Sequence, residues 1–240
     1  MKNFFFFVFL LSFTQSFSQV AEGQALYELK INLHKRLKPD DEKMKEMMPE
    51  FKTQKMQLLF NKNESYYKEF EDEEDDVQPN QGGGRMRFMS PKNELYRNYK
   101  IKRKVDLKEF FGEKFRIEDT ITPKGWKITN ESKKINNYNC MHATLNDTTN
   151  KKVVSAWFTS QIPTMSGPEG YGFLPGLIVE MTINEDEMIY TLMDYKNTLS
   201  KKDIIQAPTG GKLITEIEFK KLVESKTKEM RGRRGMMRTN

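Results

Sequence analysis

From Gly23 onward the chain alternates. Tyr27, Leu29, Ile31 and Leu33 are apolar, and Glu28, Lys30, Asn32 and His34 between them are polar. A period of two places one set on a core face and the other in water, so a strand is expected, with His34 on the wet face. The pattern changes after Pro39-Asp40. Met44, Met47, Met48 and Phe51 recur at i, i+3, i+4 and i+7, one stripe of a short helix that Pro49 ends near Met48. Alternation returns in Met56, Leu58 and Phe60. Asn61-Lys62-Asn63 then turns the chain into a second strand through Tyr66, Lys68 and Phe70, which predicts a β-hairpin. Further strands are expected at residues 86–88, 95–101, 104–107, 115–117 and 125–129. After a charged link come strands at 135–145 and 153–159. Leu177, Val179, Met181 and Ile183 alternate again, Asn184-Glu185-Asp186 turns, and residues 188–195 return.

One late segment has helical signals. Thr215 stands three residues before Glu218, a capping box, with Ile214 and Phe219 at the staple positions and Phe219, Leu222 and Val223 as the buried stripe. The strands follow one another with short turns and without βαβ alternation, which argues against a doubly wound sheet. The expected fold is mainly β (α+β): a large twisted antiparallel sheet or partly closed barrel. It carries one short helix in its N-terminal half and one C-terminal helix. A single domain is expected at 23–229, followed by a disordered basic tail at 230–240.

Residues 161–178 interrupt the strands with three prolines and four glycines. Proline fixes φ and glycine opens positive φ, so this mixture specifies a shaped loop. The loop ends in Leu174-Pro175-Gly176-Leu177-Ile178. Pro175-Gly176 predicts a type II turn with Gly176 at positive φ, feeding directly into a strand. Two roles suit this loop. Leu174, Leu177 and Ile178 can plug the core. Trp157, Phe158, Met165, Tyr171 and Phe173 can offer an apolar binding rim.

These residues also carry a resemblance. Trp126 and Ile128, Glu131, Lys133, Ile135, Tyr138, Cys140 and Ala143, then Trp157, Ile162-Pro163, Gly167-Pro168 and Leu174 to Ile178 are similar to the GLPGLI family of secreted Bacteroidetes-type proteins. The likeness spans residues 23–195 in outline and is specific from 126 to 183. Phe173 stands where the hexapeptide has its first glycine, with Gly172 one place earlier, so the turn entering Leu174 is expected to differ. The resemblance implies an exported protein in the periplasm or at the outer membrane, and implies no activity. The binding residues expected from the loop and its rim are Trp157, Pro163, Gly167, Pro168, Tyr171, Phe173, Leu174, Pro175, Gly176, Leu177 and Ile178.

Composition narrows the compartment and the partners. Lys2 and an unbroken apolar run over residues 4–11, too short to span a bilayer, precede Ser16-Phe17-Ser18. This is the pattern of a signal peptide at 1–18, with cleavage before Gln19 and no cysteine nearby to acylate. No transmembrane segment is expected after its removal. Cys140 is the only cysteine, so no internal disulfide is expected. The formal net charge is +6, which suits anionic surfaces such as lipid headgroups or acidic glycans. No nucleic-acid motif accompanies it. Seven of the eight residues from Glu69 to Asp76 are acidic, and a glycine-rich stretch follows. That composition predicts a disordered insertion at about 69–84, and the ligand spacing of an EF-hand is missing.

Candidate chemistry is sparse. His34 and His142 are the only histidines. Cys140 and His142 share a strand face, as packed neighbours or as a nucleophile and base. Asp and Glu are abundant, but no spacing singles out a pair. Two histidines and one cysteine do not make a closed zinc site. The fifteen methionines include two clusters, Met44-Met47-Met48 and Met230-Met236-Met237, which raise copper handling as an alternative. No cofactor, metal site or catalytic residue is assigned. The function expected is a non-enzymatic binding or envelope-associated protein whose ligand is an envelope protein, a lipid or a glycan, not nucleic acid. The alternatives are a small carboxylate-dependent hydrolase and a copper-handling protein.

Overall fold

The computed structural model describes residues 22–37, 41–71, 92–148 and 150–236, the last six of these by backbone alone. Residues 1–18, where a signal peptide was expected, the strand expected at 86–88 and most of the insertion expected at 69–84 therefore lie outside the described residues. Among the described residues twelve strands form one open sheet. Strand β1 (Gly23–Asn32) lies in its middle. On one side β2 (Phe51–Phe60), β3 (Glu64–Glu69), β4 (Glu94–Asn98), β5 (Arg103–Phe110) and β6 (Glu113–Thr120) meander outward, each antiparallel to the last. The other wing is a second antiparallel meander. It contains β7 (Lys127–Ile135), β8 (Tyr138–Asp147), β9 (Lys152–Thr159), β10 (Leu177–Ile183) and β11 (Met188–Lys196), and β11 closes on β1. A two-residue strand, β12 (Lys212–Leu213), adds to β6 in parallel and makes the sheet mixed.

Period-two patterning is realised where it was clearest. Ala25, Tyr27, Leu29 and Ile31 of β1 are buried, with half-exposed residues between them. Their core continues through Leu58, Phe158, Met181 and Tyr190 into Ile162, Tyr171 and Leu174 of the proline-glycine loop. Both wings thus pack on the loop, which plugs the sheet. The Tyr27 hydroxyl donates to the Ile178 carbonyl at 2.7 Å, next to a register shift in the β9–β10 pairing, and satisfies an acceptor there.

Several local expectations are corrected. Helix α1 (Glu42–Met47) exists but buries nothing. Met47 is 82% exposed, and Phe51 opens β2 beneath the Lys30 ammonium, 4.2 Å from its ring centre. Six residues are too few to present a stripe to a core that the sheet already fills. His34 belongs to a short 3-10 turn, where its Nε2 lies 3.0 Å from the Met48 carbonyl oxygen. The charged link before Ile135 is strand β7 itself. The strand expected at 135–145 is broken by a turn at Asn136, whose φ is +53°, a conformation asparagine tolerates. The capping box of α2 (Glu216–Met236) is formed, and the helix runs past residue 229, where a disordered tail was expected to begin. Among the described residues no helix is long and apolar enough to cross a membrane.

Candidate functional site

The loop between β9 and β10 is built from its own backbone. Leu177 N–H donates to Ile162 O at 3.0 Å and Phe173 N–H to Met165 O at 2.8 Å, so its limbs are tied at two levels. Pro168–Gly170 forms a single 3-10 turn closed by Tyr171 N–H on Pro168 O. Two glycines are required by close approach. A Cβ on Gly167 would lie 1.7 Å from Tyr171 O, and one on Gly176 would lie 2.0 Å from Thr159 O. Gly176 has positive φ, but at +150°, and its N–H donates to Leu174 O two residues back. The turn is therefore a three-residue turn about Pro175 and not the expected type II turn. The fixed φ of Pro175 suits both, and the crowding against Thr159 selects the tighter one.

Glu169 and Phe173 are also left-handed, at φ +53° and +70°. Phe173 thus keeps, where the GLPGLI hexapeptide would have its first glycine, a backbone conformation that glycine favours. Its ring meets Tyr99 of the β4–β5 turn edge-on, with centroids 5.6 Å apart. Strained positions of this kind persist where the surroundings over-determine them, often at functional sites.

Both residues line a cleft of about 720 Å³ between the wings. Its walls come from β4, β5, the β6–β7 connection, the β8–β9 turn and the first turns of α2. Tyr99, Tyr171 and Phe173 supply aromatic surface. The rest is mainly polar: six basic residues (Arg97, Lys104, Lys108, Lys124, Lys152, Lys220) and five acidic ones (Asp106, Asp119, Asp147, Glu169, Glu216). Most of these charges are paired. Lys124 meets Asp147 at 2.8 Å, Lys104 meets Glu216 at 2.9 Å, and Lys220 meets Glu216 at 3.4 Å. Arg97 and Asp106 form a largely buried ion pair. A Cβ on Gly170 would lie 2.8 Å from the Arg97 guanidinium, so the loop approaches β4 closely at this glycine. From the other side Lys124 covers the Tyr171 ring at 4.6 Å and Trp126 Nε1–H donates to Gly172 O at 2.8 Å.

The electrostatics single out the loop's carboxyl. Burial raises the Glu169 pKa. Lys152 and Lys108 oppose that shift, and Asp106 adds to it. Tyr67 and Tyr190 feel the Glu169 charge, and they are only 2% and 0% exposed. Neither hydroxyl makes an aligned hydrogen bond to a protein group, although Tyr190 lies close to Glu169. Asp147 behaves oppositely. Burial pushes its carboxyl up, but Lys124 and two hydrogen bonds from Asn150 outweigh that and hold the pKa at about 2.

The residues expected to bind divide into three groups. Tyr171 and Phe173 line the cleft. Gly167, Pro168, Leu174, Gly176, Leu177 and Ile178 are buried, Pro163 is half-buried and Pro175 is exposed at the turn, none of them in the cleft wall. Trp157 is elsewhere, stacked on His142 at 4.7 Å with Lys133 over its ring at 4.3 Å. The apolar rim is therefore not one surface, and Phe158 is fully buried. Cys140 and His142 have separate partners. The Cys140 Sγ lies 3.7 Å from Tyr138 O, and burial raises its pKa. His142 Nε2 lies 2.9 Å from Ser155 Oγ. Met44 and Met48 are half-buried beside exposed Met47, while Met230 is exposed on α2. Glu169 was missed by sequence reasoning, yet it is the only charged residue between Lys152 and Glu180. A lone acid in a proline-glycine loop was the available signal.

An open, twisted sheet wrapped on a loop plug, with a polar cleft beside the plug, defines the class of molecule. A family described as a protein of unknown function (Porph_ging) matches residues 145–180, the segment from β8 to β10 that holds the plug. No curated protein matches the chain. Two solved structures of PNGF-II are similar in fold. The one in space group P21 has a TM-score of 0.53 at 14% identity over 84% of this chain and 32% of its own. The one in C2 has 0.54 at 14% identity over 85% and 32%. The chain thus spans about a third of the length of the solved structures it matches.

Proposed function

We propose that this is an exported binding protein of the periplasm or outer-membrane surface whose cleft takes a saccharide. The cleft carries the reading. Its volume of about 720 Å³ suits a small ligand or a few sugar units. Its charged lining would bury ionic groups against an acyl chain and strip them of water, which disfavours a lipid. Its concavity disfavours the flat contact a protein partner needs. Carboxyl, amide and hydroxyl groups can meet sugar hydroxyls. The edges and faces of Tyr99, Tyr171 and Phe173 can meet sugar C–H groups. The export part of the proposal rests on the signal pattern at residues 1–18.

A glycan array probed with the purified protein and with Glu169→Gln tests this. Retention of one saccharide class by the parent, weakened in the variant, is the expected result. No retention of any class by the parent would overturn the reading. A hydrolytic reading has one specific observation behind it: Asp106 and Glu169 share the cleft, and burial of the Glu169 carboxyl raises its pKa. Cleavage products in the mass spectrum of a retained oligosaccharide, lost in Glu169→Gln, would replace binding with hydrolysis.

A further inference from the structure

We infer that the cleft selects an acidic saccharide, whose anionic group is read by Lys152 and Lys108. The inference rests on the saccharide reading and adds the charge of the ligand. Lys152 opens β9, and Lys108 lies on β5 in the opposite wing. Both line the cleft, and both ammoniums act on the Glu169 carboxyl at its floor. The two lysines thus reach the cleft from strands in opposite wings of the sheet.

The local charges favour an anion. Arg97 is occupied by Asp106 and by the Tyr96 carbonyl oxygen, so that pair contributes no net charge. Lys108 keeps only a long contact to Asp106, 4.0 Å, and lies 5.5 Å from the centre of the Phe219 ring. The Lys152 backbone is paired in the β8–β9 ladder, while its ammonium makes no hydrogen bond or ion pair among the described residues. With six basic and five acidic residues in its lining, the cleft keeps a net charge of +1 even with Glu169 ionised. The protonated Glu169 adds a donor to the anion in place of a repelling charge, and its burial favours that form. A lysine ammonium on a flexible stem can turn from Glu169 to a ligand without breaking a fixed fork.

Calorimetric titration decides the matter with three probes: a galacturonate trisaccharide, its neutral galactose counterpart and a sulfated disaccharide. The parent is expected to bind an acidic probe about tenfold tighter than the neutral one at low salt, the equivalent of one charge-assisted contact. That preference should shrink at high salt and in Lys152→Gln, with a lesser loss in Lys108→Gln. The carboxylate and sulfate arms tell which acidic group is preferred, and either result supports the inference. Equal binding of acidic and neutral probes, or an unchanged preference in both lysine variants, would overturn it and leave the saccharide reading standing. Absence of binding by all three, together with an empty glycan array, would remove both.

Discussion

The loop at 161–176 and helix α2 reverse the usual relation between regular structure and commitment to the fold. The helix has the stronger textual signal. Its capping box is made in both directions, Thr215 N–H to Glu218 Oε2 at 2.9 Å and Glu218 N–H to Thr215 Oγ1 at 3.2 Å. Yet it is anchored chiefly through Phe219, which meets Phe110 and Phe115, and Ile217 is 68% exposed. The loop has one 3-10 turn and no other regular element, but its side chains complete the core of both wings and its backbone approaches its neighbours too closely for a Cβ. Backbone hydrogen bonds make an element regular, whereas burial and close packing make it indispensable.

The largest expected effect breaks the loop. Gly176→Val forces a β-branched residue to positive φ, costing about 1–3 kcal/mol. Its Cβ would also overlap Thr159 O, 2.0 Å away. Since that atom belongs to the backbone of β9, relief requires moving a strand, for about 1–3 kcal/mol more. A loss of about 4 kcal/mol in a denaturant melt is the expected outcome. Pro175→Ala, at an exposed position, should cost only about 0.4–1 kcal/mol through the unfolded chain. Parent-like melting of both variants would mean that the loop is not the plug described above.

A smaller effect of opposite sign sharpens the link between loop and cleft. Glu169 has a raised pKa because its carboxyl is buried. Its stabilising contribution is complete below the unfolded carboxyl pKa, about 4.3. That contribution is lost as pH rises through the folded value, because the unfolded state then releases its proton first. Glu169→Gln should therefore melt above the parent at pH 8 and level with it at pH 4, while ligand retention falls. Equal melting at pH 8 would show a solvated carboxyl and remove the cost attributed to holding it on the cleft floor.

What the sequence disclosed follows the range of the forces involved. The hairpin about Asn61 to Asn63, the alternation of β1 and β10, and the cap at Thr215 are set by neighbours within a few residues, and all were legible. The turn at Asn136 had a signal that was passed over: Asn136-Asn137 break the alternation between Ile135 and Tyr138, and an asparagine pair suits a tight turn with positive φ. The methionines of α1 had helical spacing, but spacing does not reveal whether a core remains to be filled. The cleft was illegible as a whole. Arg97, Lys108, Lys152, Glu169 and Glu216 meet only because two meanders share β1, and no local pattern encodes that meeting. The loop was recognised through its prolines and glycines, while its one charged residue passed unnoticed.

The smallest effect tests the other side of the comparison. Thr215→Ala removes the acceptor of the Glu218 N–H and half of the capping box. Cap losses of this kind cost about 1 kcal/mol of helix stability. In a helix integrated with the core, that cost would appear in the global melt. Here α2 is attached mainly through its first turns, so the helix can open while the sheet stays folded. Amide exchange at Phe219 to Val223 should accelerate about fivefold, the equivalent of that cap. The denaturant midpoint should move by less than about 0.5 kcal/mol. Glu216 and Lys220 of the same turns reach the cleft, and Lys220 Nζ donates to Asn150 Oδ1 at 3.1 Å across it. Any change in ligand retention should therefore accompany the exchange rate and not the global melt. A global loss comparable to that of Gly176→Val would show that the helix belongs to the same cooperative unit as the loop, and the contrast between them would fail.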